Sequence, residues 1–319
     1  MKTRQNFVLL LTVVAAVFSV AKACSNGQCK LLDECSMDAD CEAGLYCGCC
    51  PQGFSGSRCI RSAITDQFKL LNGVRALMLD TYDFKDDVWL CHSFNGQCHD
   101  FTAFEPAIDT LKEVEAFLSA NPSEIVTLIL EDYVEAPNGL TNVFNASGLK
   151  NYWFPVTSMP KNGQDWPLVS DMVANNQRLL VFTSKSEKEQ SEGIAYQWNY
   201  MVENQYGDDG MKEGSCSNRG ESSPLDDKTK SLVLVNYFAS IPFKLESCEN
   251  NSGNLINMLY TCHGAAANRW ANFVAVDFYK RSEGGGSFQA LDNLNGELLC
   301  GCNDVHACVP GSPPGSCQP

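Results

Sequence analysis

Two titratable side chains, Asp80 and His92, stand where a folded chain commonly delivers its chemistry. Each closes an apolar run of strand length. Ala76-Leu77-Met78-Leu79 leads to Asp80, and Val88-Trp89-Leu90-Cys91 leads to His92. The turn Phe84-Lys85-Asp86-Asp87 lies between them. In parallel sheets and barrels, sites gather at the C-terminal strand ends. A carboxylate and an imidazole brought together there could hold a cation or move a proton. The competing reading is a buried hairpin with an incidental histidine. Pattern alone leaves both open.

The elements that must position these groups begin at Gly73. Apolar, β-rich runs occupy 75–80, 88–92, 125–131, 178–183, 195–201, 232–238 and 273–278. A helix is expected over 104–121, with Pro106 in its first turn and Ile108, Leu111, Val114, Phe117 and Leu118 on one face. A second is expected over 255–272. Continuous apolar strands separated by helices predict an α/β fold with a parallel sheet covered on both faces. Seven strands is one short of a TIM-type (β/α)8 barrel.

Before this region the chain changes character. Residues 1–23 read as a secretory leader, with Lys2 and Arg4, an apolar core over 7–20, and Ala21-Lys22-Ala23 as cleavage site. The core is shorter than the about 20 residues that span a bilayer, so no transmembrane span is expected in the mature chain. Residues 24–59 carry eight of the chain's seventeen cysteines and no long apolar period. They predict a disulfide-stapled module whose end, Cys50 to Cys59, looks like the last turn of an epidermal-growth-factor-like unit. The barrel is expected over 60–299 and a cysteine-containing tail over 300–319. An odd count leaves one thiol over, and crowding in Cys47-Gly48-Cys49-Cys50 points to Cys49. Cys91 and Cys98 flank a short loop that a bridge could close. Sequons at Asn145 and Asn250 fit a secreted, extracellular glycoprotein. The net charge of −15 repels phosphate backbones, so nucleic acid is excluded as a partner.

Several of these stretches together resemble a known family. They are 73–83, Cys91-His92-Ser93-Phe94, Pro122-Ser123-Glu124-Ile125-Val126-Thr127 with Leu130-Glu131-Asp132, and Val276-Asp277-Phe278-Tyr279. They resemble the plant secreted proteins that carry a phosphatidylinositol-specific phospholipase C X-domain, as does the cysteine-rich run 38–47. The resemblance implies a (β/α)8-type barrel in the apoplast that cleaves an inositol phospholipid or a similar phosphodiester. One histidine removes the inositol 2-hydroxyl proton, a second protonates the leaving oxygen, and calcium or an arginine neutralises the phosphate. On this match His92 is the general acid. Asp80 and Glu131 are carboxylate ligands for calcium, whose preference is for hard oxygens. Asp277 orients the first histidine. Arg75 is a phosphate contact or a structural ion pair.

One part of the family pattern is absent. The chain has four histidines, His92, His99, His263 and His306, and none precedes His92. The strand that should end in a Thr-His-Asn motif belongs between Leu71 and Asn72. Its first β/α unit is therefore expected to be missing, in line with the count of seven strands. Met78 stands where calcium-dependent relatives carry a further acid. The implied enzyme has lost its base, and the rival is a secreted or wall-associated binding protein that keeps the barrel as a scaffold. The other three histidines read as structural or solvated, Gly284-Gly285-Gly286 as a loop and Gly207-Asp208-Asp209-Gly210 as a turn.

Overall fold

The computed structural model describes residues 24–30, 33–42, 45–49, 57–61, 73–279 and 286–318. The expected leader, the join between Leu71 and Asn72, and the thiol of Cys49 lie outside the described residues and side chains. The N-terminal module is a hairpin of β1 (Leu45–Cys49) and β2 (Ser57–Arg61). The bridges Cys24–Cys29, Cys35–Cys47 and Cys41–Cys59 staple it. Its core is largely cysteine, with Cys29, Cys41 and Cys59 buried. This is what a chain too short for an apolar core requires.

The main body is mixed α/β. Strand β3 (Ala76–Phe84) turns directly into β4 (Asp87–Cys91), which pairs with it antiparallel. Lys85 and Asp86, at φ of 53° and 59°, make the turn, whose left-handed residues match the twist of paired strands. The 88–92 run is therefore not a parallel barrel strand. Next comes β5 (Ala103–Pro106), on β4. It takes the first residues of the expected 104–121 helix, so α1 spans Ala107–Ala120. Strand β6 (Val126–Tyr133) returns parallel to β3, followed by β7 (Leu179–Thr183) and the short β8 (Ala195–Tyr196). The sheet order is β5-β4-β3-β6-β7-β8.

The expected 195–201 strand is broken. A 3-10 turn, Gln197–Asn199, interrupts it, and the chain resumes as β9 (Met201–Glu203) in a second parallel sheet. That sheet holds β9, β10 (Leu232–Asn236) and β11 (Phe273–Ala275), in the order β11-β10-β9. Among the described residues the strands thus form no closed ring. A second opening lies at the other side. Among the described residues, the stretch 76–80 of β3 pairs with β6 alone, because β4 joins from Thr81, and strand β11 pairs only with β10. The 255–272 helix is also shorter, Leu255–Ala265. Ala267 and Asn268 at φ of 56° and 60° end it. A helix over Gly286–Cys300 closes the 60–299 region, where the sequence reading placed no element.

Alternation along the strands sorts the side chains into two layers. Leu77, Leu79, Leu128 and Leu130 pack outward on Leu111, Val114 and Leu118 of α1. Ile129, Leu180 and Phe182 of the larger sheet pack inward with Met201, Leu232 and Leu234 of the smaller. The two sheets therefore share one interior although their ladders do not join. Arg178, buried ahead of β7, donates to the carbonyls of Leu118, Asn121 and Glu124, satisfying the end of α1. Further bridges join Cys91 to Cys98 as expected, Cys216 to Cys262, Cys300 to Cys308 and Cys302 to Cys317. Asn145 is exposed and Asn250 half-buried. No described helix is long and apolar enough to cross a membrane.

A buried ion pair fixes β6 against the segment after β7. Asp132 is fully buried and accepts from Thr183 Oγ1 at 2.7 Å and Lys188 Nζ at 3.1 Å. Lys188 also donates to the Val134 carbonyl. Removing one partner of such a pair strands a charge in low dielectric, which costs about 3–5 kcal/mol. Lys188→Met is expected to lose that much in denaturant unfolding under oxidising conditions.

Candidate active site

Strand register puts the first two carboxylates side by side. Asp80 of β3 pairs with Glu131 of β6, both pointing to the interior face, and Tyr82 pairs with Tyr133 two residues on. The two tyrosine rings stack at 4.5 Å. Burial and the neighbouring Glu131 charge raise Asp80 to about 6, against smaller opposing effects of His92 and Arg219. Burial, then Glu131, pushes Tyr133 up to about 12. His92 follows the antiparallel β4 and is exposed. Its amide bonds the Thr102 carbonyl at 3.1 Å, and its neighbour Cys91 is bridged to Cys98. The hairpin reading of 88–92 is right for the backbone, and the histidine is near enough to oppose slightly the rise at Asp80.

The dominant side chain at this site is one that sequence reasoning missed. Arg219 lies in the long insert between β9 and β10 and is 6% exposed. Its amide donates to the Glu203 carbonyl at 2.9 Å, which folds the insert back onto the end of β9. The guanidinium forks onto both oxygens of Glu131. It also donates to Glu203 at 3.2 Å and to Glu221 at 3.1 Å. Trp198 and Tyr206 sandwich it, at 5.0 and 4.9 Å. Burial works against its charge, yet the Glu131 hydrogen bonds and the Glu203 charge hold it well above the ordinary guanidinium range. Glu203 is itself fully buried. Gln197, Trp198 and Asn236 donate to it at 2.6, 2.9 and 2.8 Å. Burial still raises its pKa despite Arg219 and those donors. An apolar run drawn two residues further, through Glu203, would have exposed this acid. Nothing in Ser217-Asn218-Arg219-Gly220 marks the arginine.

Of the remaining candidates, Arg75 lies apart from this core and Asp277 belongs to the smaller sheet. Arg75 precedes β3, at the end away from Asp80, with its Nε 2.7 Å from Glu124 and its guanidinium over Phe117. That is the structural ion pair among the two readings of Arg75. Asp277 follows β11, in phase with Phe273 and Ala275 and at the same sheet end as Asn236. Its carbonyl accepts from Asn251, and it lines a shallow recess with Tyr237 and Phe243. Of the other histidines, His99 stacks on Phe101, His263 on Trp270, and His306 bonds Asp304.

The donor set does not fit calcium. Both oxygens of Glu131 are engaged by Arg219. Among the described residues no third Asp, Glu, His or Cys joins Asp80 and Glu131 closely enough to share one ion. Calcium needs six to eight oxygens. The arrangement can instead accept hydrogen bonds from hydroxyls at Asp80 and exchange a proton at His92.

The PI-PLC X family model (PI-PLC X 1) matches residues 46–295. A PI-PLC X domain-containing protein of Arabidopsis thaliana is 49% identical over 356 aligned residues, covering 97% of this chain and 83% of the relative. That alignment is longer than the 319-residue chain, so stretches of the relative have no counterpart here. An uncharacterized secreted protein of Arthroderma benhamiae is 23% identical over 249 residues, 71% of this chain and 54% of that relative.

The Asp80 environment gives a signed pH effect. Its folded pKa, about 6, exceeds its ordinary value of 3.8, so ionised Asp80 destabilises the fold. The penalty is absent below pH 3.8, grows as pH rises through that window, and is complete above 6. Asp80→Asn removes it. In unfolding titrations the variant should match wild type near pH 4 and exceed it by about 2–3 kcal/mol at pH 7.

Proposed function

From the premise that this chain belongs to the PI-PLC X-domain family, we propose that it is an exported phosphodiester-recognising member whose hydrolytic power is weakened. One observation carries this reading: the chain has four histidines and none precedes His92, so the histidine that would free the 2-hydroxyl is absent. Cleavage of an inositol phosphodiester needs a base to free the 2-hydroxyl and an acid to protonate the leaving oxygen. His92 is suited to the second task. The other three imidazoles are held elsewhere by ring stacking or by Asp304.

The open sheets support a barrel that lacks its first β/α unit. The sides of β3 and β11 that have no strand partner among the described residues are where that strand would insert. The charge pattern also favours recognition over turnover. The guanidinium of Arg219 is shared among Glu131, Glu203 and Glu221, so it has little left to give a phosphate. Asp80, which Glu131 and burial leave easily protonated, suits the hydroxyls of a polyol headgroup. Neither calcium nor Arg75 enters this scheme. The seven described bridges and the sequon at Asn145 suit an oxidising, extracellular setting.

The test uses a soluble chromogenic inositol phosphodiester and the purified chain. A comparison protein carries a strand-helix unit ending its strand in Thr-His-Asn, inserted between Leu71 and Asn72. Loss of one general base is worth about 10²–10⁴-fold, so the chain should turn over slower by that factor. His92→Ala should remove what remains. Equal rates with and without the inserted unit would overturn the proposal.

A further inference from the structure

A cleft of about 500 Å³ opens at the end of the smaller sheet opposite to the acidic cluster. Ser231 and Arg269, which line it, stand ahead of β10 and β11, whereas Glu203 closes the parallel β9. The third wall is 163–166, part of the long connection between β6 and β7. The volume lies within the range of small-molecule sites, about 300–1,000 Å³.

The three walls are fastened to one another. Gly163, at φ of 73°, comes so near Lys228 that a Cβ there would lie 2.2 Å from its carbonyl oxygen. The indole of Trp166 donates to Ser231 Oγ at 2.9 Å. Arg269 donates to the carbonyls of Ala266, Leu225 and Asp227 at 3.0, 2.7 and 3.2 Å, and to that of Lys230. Ala267 takes a left-handed φ of 56°, which alanine adopts only where its surroundings impose it. A cleft held this way gives up little freedom when a ligand enters.

Its lining suits hydroxyls. Trp166 is half-buried, packs on Phe154 with ring centroids 5.8 Å apart, and also faces the cleft. Around it stand Gln164, Asp165, Lys228 and Asn268, all exposed. Among the described residues, none of these four side chains makes a hydrogen bond or an ion pair. Two amides, a carboxylate and an ammonium offer donors and acceptors together, and their formal charges cancel. Arg269 already makes four carbonyl bonds with its five N–H groups, so it has little left for an anion.

We propose that this cleft binds an uncharged oligosaccharide, with the indole of Trp166 against a sugar C–H face and the four polar side chains on its hydroxyls. A pyranose ring has an apolar face and a belt of hydroxyls, which matches an aromatic ring bordered by free amides. An anionic ligand would meet Asp165, with Lys228 the one uncommitted cation of the lining. The site uses neither His92 nor the acidic cluster, so the inference stands apart from the phosphodiester reading.

The experiment is isothermal titration calorimetry of the purified, disulfide-intact chain with cellohexaose, xylohexaose and mannohexaose. At least one should bind saturably, and Asp165→Ala/Asn268→Gly should weaken that binding by about tenfold or more. Asp165 is exposed, and glycine tolerates the left-handed φ of 60° at Asn268, so the variant's melting temperature should stay unchanged. An oligogalacturonate of the same length should bind more weakly. Absence of binding by all three neutral sugars, an unaffected variant, or tighter binding of the oligogalacturonate would overturn the inference. So would displacement of the sugar by the soluble inositol phosphodiester, since the sugar would then sit at the other end of the sheets. A failed turnover prediction leaves the calorimetric result standing.

Discussion

A single guanidinium holds the two halves of this protein in register. The sheet ladder stops at Tyr196 and resumes at Met201, so no backbone hydrogen bonds cross from the larger sheet to the smaller there. Arg219 spans the break. It grips Glu131 on one sheet and Glu203 on the other, and is enclosed by the rings of Trp198 and Tyr206. A buried cation is costly unless its donors are matched, and here three carboxylates match them. The geometry of the candidate site follows. Glu131 cannot move without releasing the arginine, and Asp80 is held beside it by register.

This arrangement changes what the acids at the strand ends can do in this chain. Asp80 and Glu131 read as metal ligands when taken alone. With a guanidinium between the sheets, Glu131 is committed to structure. Asp80 is left as a carboxyl beside another carboxylate, raised by burial and by that neighbour. A cluster with more carboxylates than cations is poorly suited to neutralising a phosphate. It is better suited to accepting hydrogen bonds from hydroxyl groups.

The sequence revealed these features unevenly, and the reasons are physical. Strands β3, β6, β7 and β10 were legible because long apolar runs buried on both faces leave a strong signal. Asp80 and Glu131 were legible because they close such runs. The hairpin of β3 and β4 was legible only as one of two open readings, since Lys85-Asp86, which takes left-handed conformations, lacks the glycine that marks such a turn. The break after Tyr196 was hidden because Gln197-Trp198-Asn199 is apolar enough to pass for strand. Arg219 was beyond reach, as its role comes from an insert folding back across 88 residues to Glu131. Its neighbours in sequence carry no periodicity to read. Arg75 showed the opposite problem. A cation in a family motif invites a catalytic role, yet it neutralises Glu124 at the far end of the strand.

The bridge between Cys216 and Cys262 ties the insert to the helix Leu255–Ala265 only three residues before Arg219. The arginine's arrival at the sheet break is thereby coupled to oxidation. While those thiols stay reduced, a long loop must find Glu203 unaided, and the fully buried carboxylate waits without its counter-charge. Maturation of the site therefore belongs to the compartment where thiols are oxidised, and chain made in a reducing cytosol would reach it with its two sheets unlatched.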